Sequence, residues 1–464
     1  MTADLLYTET ERDLAGTLGD LLADRAAPAD VLARTEQHET YDSALWRTVA
    51  GEIGLGGLLI PEALGGAGAS YRELAAAAER IGAAVAPIPY LGSAAIATAV
   101  LLSAARSATE ASATEASATE ASATEASATD GNTTTGQANG QARGGAGADG
   151  DSWGLGSAAS GPAAAVRAAQ LRARSASGTG AGTRTAQAPV SPAAALLRRL
   201  ADGTVTAALA IEATARAGGS FPRTVRVAGR GDAASGTVRL RGQVGAVFDA
   251  LPADILLVPA DGVPSALYLV EATAPGVHRT PLRSLDMTRQ LAEITLDDAP
   301  ARQVAVGQAA DAAVSAGLRA GAAILAAEQL GLAQRCLDLT VGYVKERRQF
   351  NRQIGSFQAV KHRLADLWTE ITLARAASRY AAACLSAGDP DAPVAVALAK
   401  SACCTAAVTA AQECVQLHGG IGFTWEHEAH LYLKRAKAAS VILGTPGEHR
   451  ADLAALADLP APRP

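Results

Sequence analysis

Aromatic side chains are scarce in this 464-residue chain, at 4% of its residues, and there are two methionines. Hydrophobic residues still reach 49%. Alanine supplies much of that share, so the sequence favours helices built from small, closely packed side chains. A basic excess is missing as well. Lys and Arg number 40 against 46 Asp and Glu, a net charge of −6, which leaves no positive field to recruit nucleic acid. The five cysteines, Cys336, Cys384, Cys403, Cys404 and Cys414, include no C-x-x-C pair. All five sit in helical pattern and read as buried small side chains of a reducing compartment rather than disulfides or a zinc site. The N-terminus lacks a basic-then-apolar signal, and apolar stretches are interrupted by charge or glycine. The expectation is a soluble, cytoplasmic protein with no membrane partner.

What is present divides into segments. Residues 1–102 read as helical, with Leu5, Leu14, Leu18, Leu21 and Leu22 near helical spacing and further helices over Ser43–Ile53 and Tyr71–Ala84. Between them lies a glycine-rich connector, Gly54 to Gly68. Its Gly65-Gly66-Ala67-Gly68 follows no strand and lacks a Lys-Ser/Thr, which argues against a phosphate-binding loop. Residues 103–192 form a low-complexity stretch in which Ser-Ala-Thr-Glu-Ala recurs every five residues from Ser107. A repeat without large apolar side chains cannot bury a core, so a disordered insertion is expected there. Short β-type runs occupy 193–303: 205–211, 224–227, 237–240, 255–258, 266–270 and 291–296. Gly, Pro and Asp turns separate them at the spacing of a small barrel or sandwich. From 304 to 464 the pattern is helical again.

Two stretches in that last segment carry chemistry. The first, Arg347-Arg348-Gln349-Phe350-Asn351-Arg352-Gln353-Ile354-Gly355-Ser356-Phe357-Gln358, joins two helices. Arg347 and Gln358 could reach one anionic ligand, because a guanidinium fork matches phosphate oxygens. A helix-terminal arginine also serves the macrodipole, a plainer explanation. The second, Gln416-Leu417-His418-Gly419-Gly420-Ile421-Gly422, breaks a helix with glycines that let backbone N–H groups approach a phosphate or flavin. An ordinary glycine helix stop is the alternative.

In order and spacing the pair resembles the C-terminal domain of the acyl-CoA dehydrogenase family, whose motifs read R-x-Q-F-G-x-x-I-G-x-F-Q and Q-L-H-G-G-x-G. The likeness extends to Leu45-Trp46, Gly54-Leu55, Pro61-Glu62 and Gly65-Gly66-Ala67-Gly68. It implies an α+β fold: an N-terminal helical domain, a central small β-barrel or sandwich, and a C-terminal four-helix bundle. It also implies FAD as cofactor, held between the β domain and the C-terminal helices, and an acyl-CoA or other acyl thioester as substrate. The reaction would be α,β-desaturation, with a carboxylate base, an oriented flavin, and donors polarising the thioester carbonyl. An electron-acceptor flavoprotein would take the electrons. By motif match, Arg347, Gln358, Gln416, Leu417, His418, Gly419 and Gly420 would bind FAD, and Thr445 and Gly447 would lie against it. In the family such contacts cross a subunit boundary, so a homodimer, a homotetramer or a heterotetramer with a related subunit is expected.

The sequence departs from the family where the chemistry should be. The usual glutamate position falls on Leu443 and the alternative position on Gly321, and neither accepts a proton. The flavin motif T-E-P-x-x-G-S-D is reduced to Ile211 to Ser220, and the W-I-T/S-N strand is replaced near Gly245 to Asp249. Glu448 and Glu328 are weak substitute bases; an exposed terminal carboxylate and a helix-face charge are the plainer readings. His427 and His430 lack a third ligand, so no metal is expected. Three functions stay open: an FAD-dependent acyl-CoA dehydrogenase, a non-catalytic subunit completing the FAD site of a heteromeric one, and a flavin-free structural protein.

Overall fold

The computed structural model describes residues 4–110, 191–220, 223–230 and 237–459. Most of the low-complexity stretch, 111–190, lies outside them. The N-terminal helices are α1 (Glu9–Arg25), α2 (Pro28–Thr35), α3 (Ser43–Arg47) and α4 (Tyr71–Ala84), followed by α5 (Leu91–Glu110). Thr8 and Glu11 start α1 as a capping box, each side chain answering the other's backbone N–H, and Ser70 and Glu73 do the same for α4. Helix α5 opens with a π-helical stretch, Leu91–Ala97, and runs through residues 103–110. Those eight residues therefore belong to the N-terminal helices rather than to an insertion. At the far side, Pro192 begins helix α6 (Pro192–Ala201).

The central domain is a seven-stranded mixed sheet, made of β1 (Ala207–Leu209), β2 (Arg226–Arg230), β3 (Thr237–Phe248), β4 (Ile255–Ala260), β5 (Ala266–Glu271), β6 (Val277–Leu282) and β7 (Leu291–Val306). Its order is β1-β4-β5-β7-β3-β2, with β6 on β7. Only β1 with β4 is parallel. Among the described residues the strand ladders do not close into a full barrel, but Arg226 of β2 makes an isolated parallel bridge to Asp261 just past β4, with Asp261 N–H donating to Val225 O at 2.7 Å, so the domain keeps to the small β fold expected. Strand β7 is the longest and organises the sheet. Its first half pairs with β6 and its second half with β5, while β3 runs along the other edge. Both faces are covered. Along β4, Ile255 and Leu257 join the helical core and Leu256 and Val258 a second core on the opposite face.

The C-terminal bundle consists of α7 (Gln308–Glu346), a hairpin of β8 (Arg348–Gln349) and β9 (Arg352–Gln353), α8 (Gln358–Ala387), α9 (Ala392–His418), α10 (Ala429–Ala439) and α11 (Pro446–Leu456). Helix α8 buries Leu367, Ile371, Ala374, Ser378 and Ala381, spaced four, three, four and three residues apart, which makes one apolar stripe. Helices α5, α7 and α9 are long and apolar enough to cross a membrane by length and composition, and 67% of each apolar window is buried inside the protein. Buried apolar residues on all sides mark them as central helices of a packed core. Glycine sets how closely α4 and α7 cross: a Cβ on Gly82 would overlap the Glu328 carbonyl, and one on Gly331 the Glu79 carbonyl.

Candidate active site and cofactor face

The two positions where the family pattern puts a base are brought together. Leu443 is fully buried and adopts a left-handed backbone, φ 58°. It lines a small apolar pocket with Gly92, Ile96, Leu209, Ile211, Phe248 and Leu318. Gly321 of α7 lies beside it. A Cβ built on Gly321 would stand 2.6 Å from Ile96 Cγ1 and 3.0 Å from Leu443 Cδ1. No carboxylate lines this pocket. The surroundings are hydrocarbon, and Gly321 has no room for a side chain.

The backbone around Leu443 is engaged as well. Leu443 N–H donates to Ala213 O at 2.7 Å, and Ala213 N–H donates to Ala246 O at 3.0 Å. Ala213 belongs to the eroded flavin motif and Ala246 to the replaced covering strand. The β domain and the C-terminal loop thus bond directly across the cleft in which the family holds its flavin. Arg216 closes it further. Its Cδ would meet a Cβ on Gly444 at 2.8 Å, and its guanidinium reaches Asp452 at 3.3 Å and Glu448 at 4.0 Å. A flavin ring does not fit between groups already in hydrogen-bond contact, so this chain's own cleft does not fit FAD.

Both substitute carboxylates are already engaged by other groups. Glu448 accepts from Thr445 N–H and Oγ1–H, both at 2.8 Å, and completes the capping box of α11. Those hydrogen bonds from Thr445 hold its carboxyl below the ordinary range. Glu328 is 2% exposed. Its Oε2 accepts from Arg289 at 2.6 Å and its Oε1 from Arg435 at 2.9 Å. Burial by itself would raise its carboxyl, but the two guanidinium groups outweigh it and hold the pKa at about 2. Arg435 also reaches Thr288 Oγ1 at 2.9 Å and Asp286 at 3.4 Å. The cluster ties the β6–β7 loop, α7 and α10 together. Sequence reading overlooked it because its members come from three distant segments, Asp286 to Arg289, Glu328 and Arg435, with no spacing to connect them. Asp249, buried nearby, is engaged too: Oδ1 accepts from Tyr41 OH at 2.5 Å and Oδ2 from Gly92 N–H at 2.9 Å. Burial raises its carboxyl.

The other motif residues gather at one end of the bundle, facing outward. Arg347 caps α7 and Gln358 begins α8, and both are exposed. Arg363 of α8 clasps Glu413 of α9 through two contacts of 2.7 Å, which brings the start of α8 beside the end of α9. His418 stacks on Tyr343 at 4.4 Å and lies 4.6 Å from the His427 ring. The loop that follows His418 is open to solvent. Gln416 is exposed, Leu417 half-buried, and Gly419 takes φ 65°. A Cβ at Gly419 or Gly420 would meet nothing within 4 Å. An open, glycine-lined backbone flanked by an exposed guanidinium and two amides fits the outer part of a dinucleotide, so this face fits FAD where the cleft does not. Thr445 is partly exposed and Gly447 exposed, but Thr445 is engaged in capping α11. Large apolar side chains surround the same end: Phe350 is 88% exposed, Phe423 85% and Trp425 72%. Such exposure marks a surface made for another subunit.

Comparison with known proteins agrees with this architecture. The family model described as acyl-CoA dehydrogenase, N-terminal domain matches residues 8–115, and that described as acyl-CoA dehydrogenase, C-terminal domain matches 311–457, together more than half of the chain. The chain belongs to the acyl-CoA dehydrogenase family of FAD-dependent oxidoreductases. Acyl-CoA dehydrogenase IpdE2 of Mycobacterium tuberculosis is 29% identical over 440 residues, 95% of each chain. Among solved structures, the ChsE4-ChsE5 complex from Mycobacterium tuberculosis is similar at a TM-score of 0.70 and 25% identity, covering 99% of this chain and 100% of that one. A Tcur3481-Tcur3483 steroid ACAD variant gives a TM-score of 0.66 at 25% identity, covering 97% and 98%.

Proposed function

We propose that this chain is the base-lacking subunit of a heteromeric acyl-CoA dehydrogenase, completing the FAD site of a related subunit that carries the base. One observation carries the reading: the two base positions, Leu443 and Gly321, lie against each other and against Ile96, beside an apolar pocket that no carboxylate lines. The closed cleft at Ala213 supports it from the cofactor side, and the open face at Arg347, Gln358 and Gln416–Gly420 from the partner side. Two differently named chains in each of two similar structures support a heteromer.

In such a pair FAD supplies hydride acceptance at the partner's site. This chain's residues bind and orient. Arg347 and Gln358 would hold the diphosphate and adenine side, Gln416 to Gly420 would cradle the cofactor through backbone, and exposed Phe350, Phe423 and Trp425 would exclude water at the seam. The partner supplies proton removal from an acyl thioester, and an electron-acceptor flavoprotein takes the electrons. The steroid ACAD among the similar structures supports a polycyclic acyl group. A cytoplasmic location follows from the same reading, supported by the burial of the long apolar helices within the bundle.

The test is flavin content. Purified alone, the chain should be colourless. Co-expressed with a base-bearing family member, it should co-purify with one flavin per two chains. A flavin band in one-to-one ratio with the chain purified alone, with turnover of an acyl-CoA, overturns the reading.

A further inference from the structure

The centre of the bundle holds reactive groups that cofactor binding does not use. Lys400 of α9 is fully buried. Its Nζ lies 2.9 Å from Cys404 Sγ, one helical turn on, and donates to Ala439 O at 3.1 Å and Gly444 O at 3.3 Å. Cys404 in turn donates its S–H to Gln329 Oε1 at 2.9 Å. The other end of that amide, Gln329 Nε2, is buried without a partner, although Gln329 is only 1% exposed. A nucleophilic nitrogen, a sulfur and an orphaned donor therefore share one site. Buried orphan donors are rare, and each calls for an acceptor.

We propose that Lys400 and Cys404 form an oxidation-sensitive pair that peroxide joins through a single bridging oxygen, Nζ–O–Sγ. The chemistry balances in two stages. One hydrogen peroxide oxidises the Cys404 thiol to a sulfenic acid and releases one water. A second peroxide removes two electrons and two protons as the lysine nitrogen bonds to that oxygen, releasing two more waters. In sum, a thiol, an amine and two peroxides give the bridge and three waters; sulfur and nitrogen are oxidised and peroxide is reduced. The geometry favours an inserted oxygen over a direct S–N bond. Two short single bonds meeting at an angle span about the separation already present, whereas direct bonding would pull the two side chains together within a rigid helix. The new oxygen also places an acceptor beside Gln329 Nε2. Peroxide reaches the site by local opening of the bundle, as small reagents reach other buried groups.

The bridge would alter the loop after α10. The bridged nitrogen keeps one hydrogen where the amine had two, so at most one of the Ala439 and Gly444 carbonyls keeps its donor. Gly444 lies between Leu443 and the cap at Thr445, so the same oxidation loosens the loop that closes the cleft.

Peptide mapping of the full-length chain after peroxide treatment tests this. Trypsin should no longer cut after Lys400, leaving a peptide from Tyr380 to Lys434 that has gained one oxygen and lost two hydrogens. Dithiothreitol should restore both mass and cleavage. The product should persist in Cys403→Ala and vanish in Cys404→Ser and Lys400→Met. Cleavage at Lys400 with Cys404 found only as sulfinic or sulfonic acid overturns the proposal. So does an unchanged peptide at a peroxide dose that oxidises Met287, or the same product in Cys404→Ser.

Discussion

Gly321 and Leu443 stand face to face, so that the Cβ which Gly321 lacks would lie 3.0 Å from Leu443 Cδ1 and 2.6 Å from Ile96 Cγ1. Two positions from which relatives could launch a base have become one hydrocarbon contact. Gly321→Ala should therefore destabilise the chain by about 1–3 kcal/mol, the usual range for overpacking a tight core. Ile96→Ala should relieve part of that cost, so that the double variant is more stable than the summed single effects predict. Thermal unfolding of the four proteins checks this. Additive losses would mean that the contact is not what excludes a side chain at 321.

Restoring the carboxylate should not restore the reaction. In Leu443→Glu, the new side chain would enter a pocket lined by Ile96, Leu209, Ile211, Phe248 and Leu318, while Leu443 N–H stays engaged by Ala213 O. Burying a polar group there without a partner costs on the order of 2–7 kcal/mol. The expected result is a large fall in Tm and no acyl-CoA oxidation by the chain alone. A gain of turnover in this variant would show that only the base was missing, and would sink the half-site reading.

Much of this was legible beforehand, and the reasons are local. Helix α4 falls on the predicted Tyr71–Ala84 because a capping box opens it and apolar spacing runs through it. All six expected β runs overlap strands of the sheet, but β6, Val277 to Leu282, was missed, since His278, Arg279 and Pro281 hide its alternation. The empty base positions could be counted from the motifs. What filled them could not. Ile96 belongs to a π-helical stretch more than 200 residues away in sequence, and only folding sets it against Gly321 and Leu443. Barrel and sandwich could not be told apart beforehand for a similar reason: strand spacing reports how many strands there are, not how the sheet's edges meet.

Glu328 should behave as an acid-side stabiliser rather than a catalyst. Its folded pKa of about 2 lies below the ordinary 4.5, so its contribution is complete above pH 4.5 and is lost as pH falls towards 2. Asp249 works in the opposite sense. Burial raises its carboxyl, so its contribution is complete below the ordinary 3.8 and is lost as pH rises through the raised value. Glu328→Gln should cost about 3–5 kcal/mol, because Arg289 and Arg435 are left buried and poorly paired. It should also flatten the decline of Tm between about pH 5 and pH 2. An unchanged acid slope would assign the decline to other carboxylates.

Glu448 gives a sharper contrast, since its carboxylate is exposed and its partners are known. Glu448→Ala removes half of the α11 capping box and should lower stability by about 0.5–2 kcal/mol. Flavin content and turnover of the assembled pair should stay at the unsubstituted level. A loss of turnover with flavin retained, and no comparable loss in Thr445→Ala, would return Glu448 to the list of bases.

Arg347 separates binding from folding. The side chain is exposed at the end of α7, away from the core, so Arg347→Ala should change the chain's own stability by no more than about 0.5 kcal/mol. Its assigned partner is a diphosphate in a neighbour's site, where a charge-assisted hydrogen bond contributes about 1.5–3 kcal/mol. That corresponds to flavin held roughly tenfold to a hundredfold more weakly by the assembled pair. Arg347→Lys keeps the charge but loses the planar fork, so it should recover only part of the affinity. Added salt should weaken flavin binding in the wild-type pair more than in Arg347→Ala, because only the former has this charge to screen. Fluorescence titration of free FAD into the apo pair, at low and high salt, reads all three proteins. If the arginine serves only the dipole of α7, the affinities will coincide and the small change will fall on Tm alone.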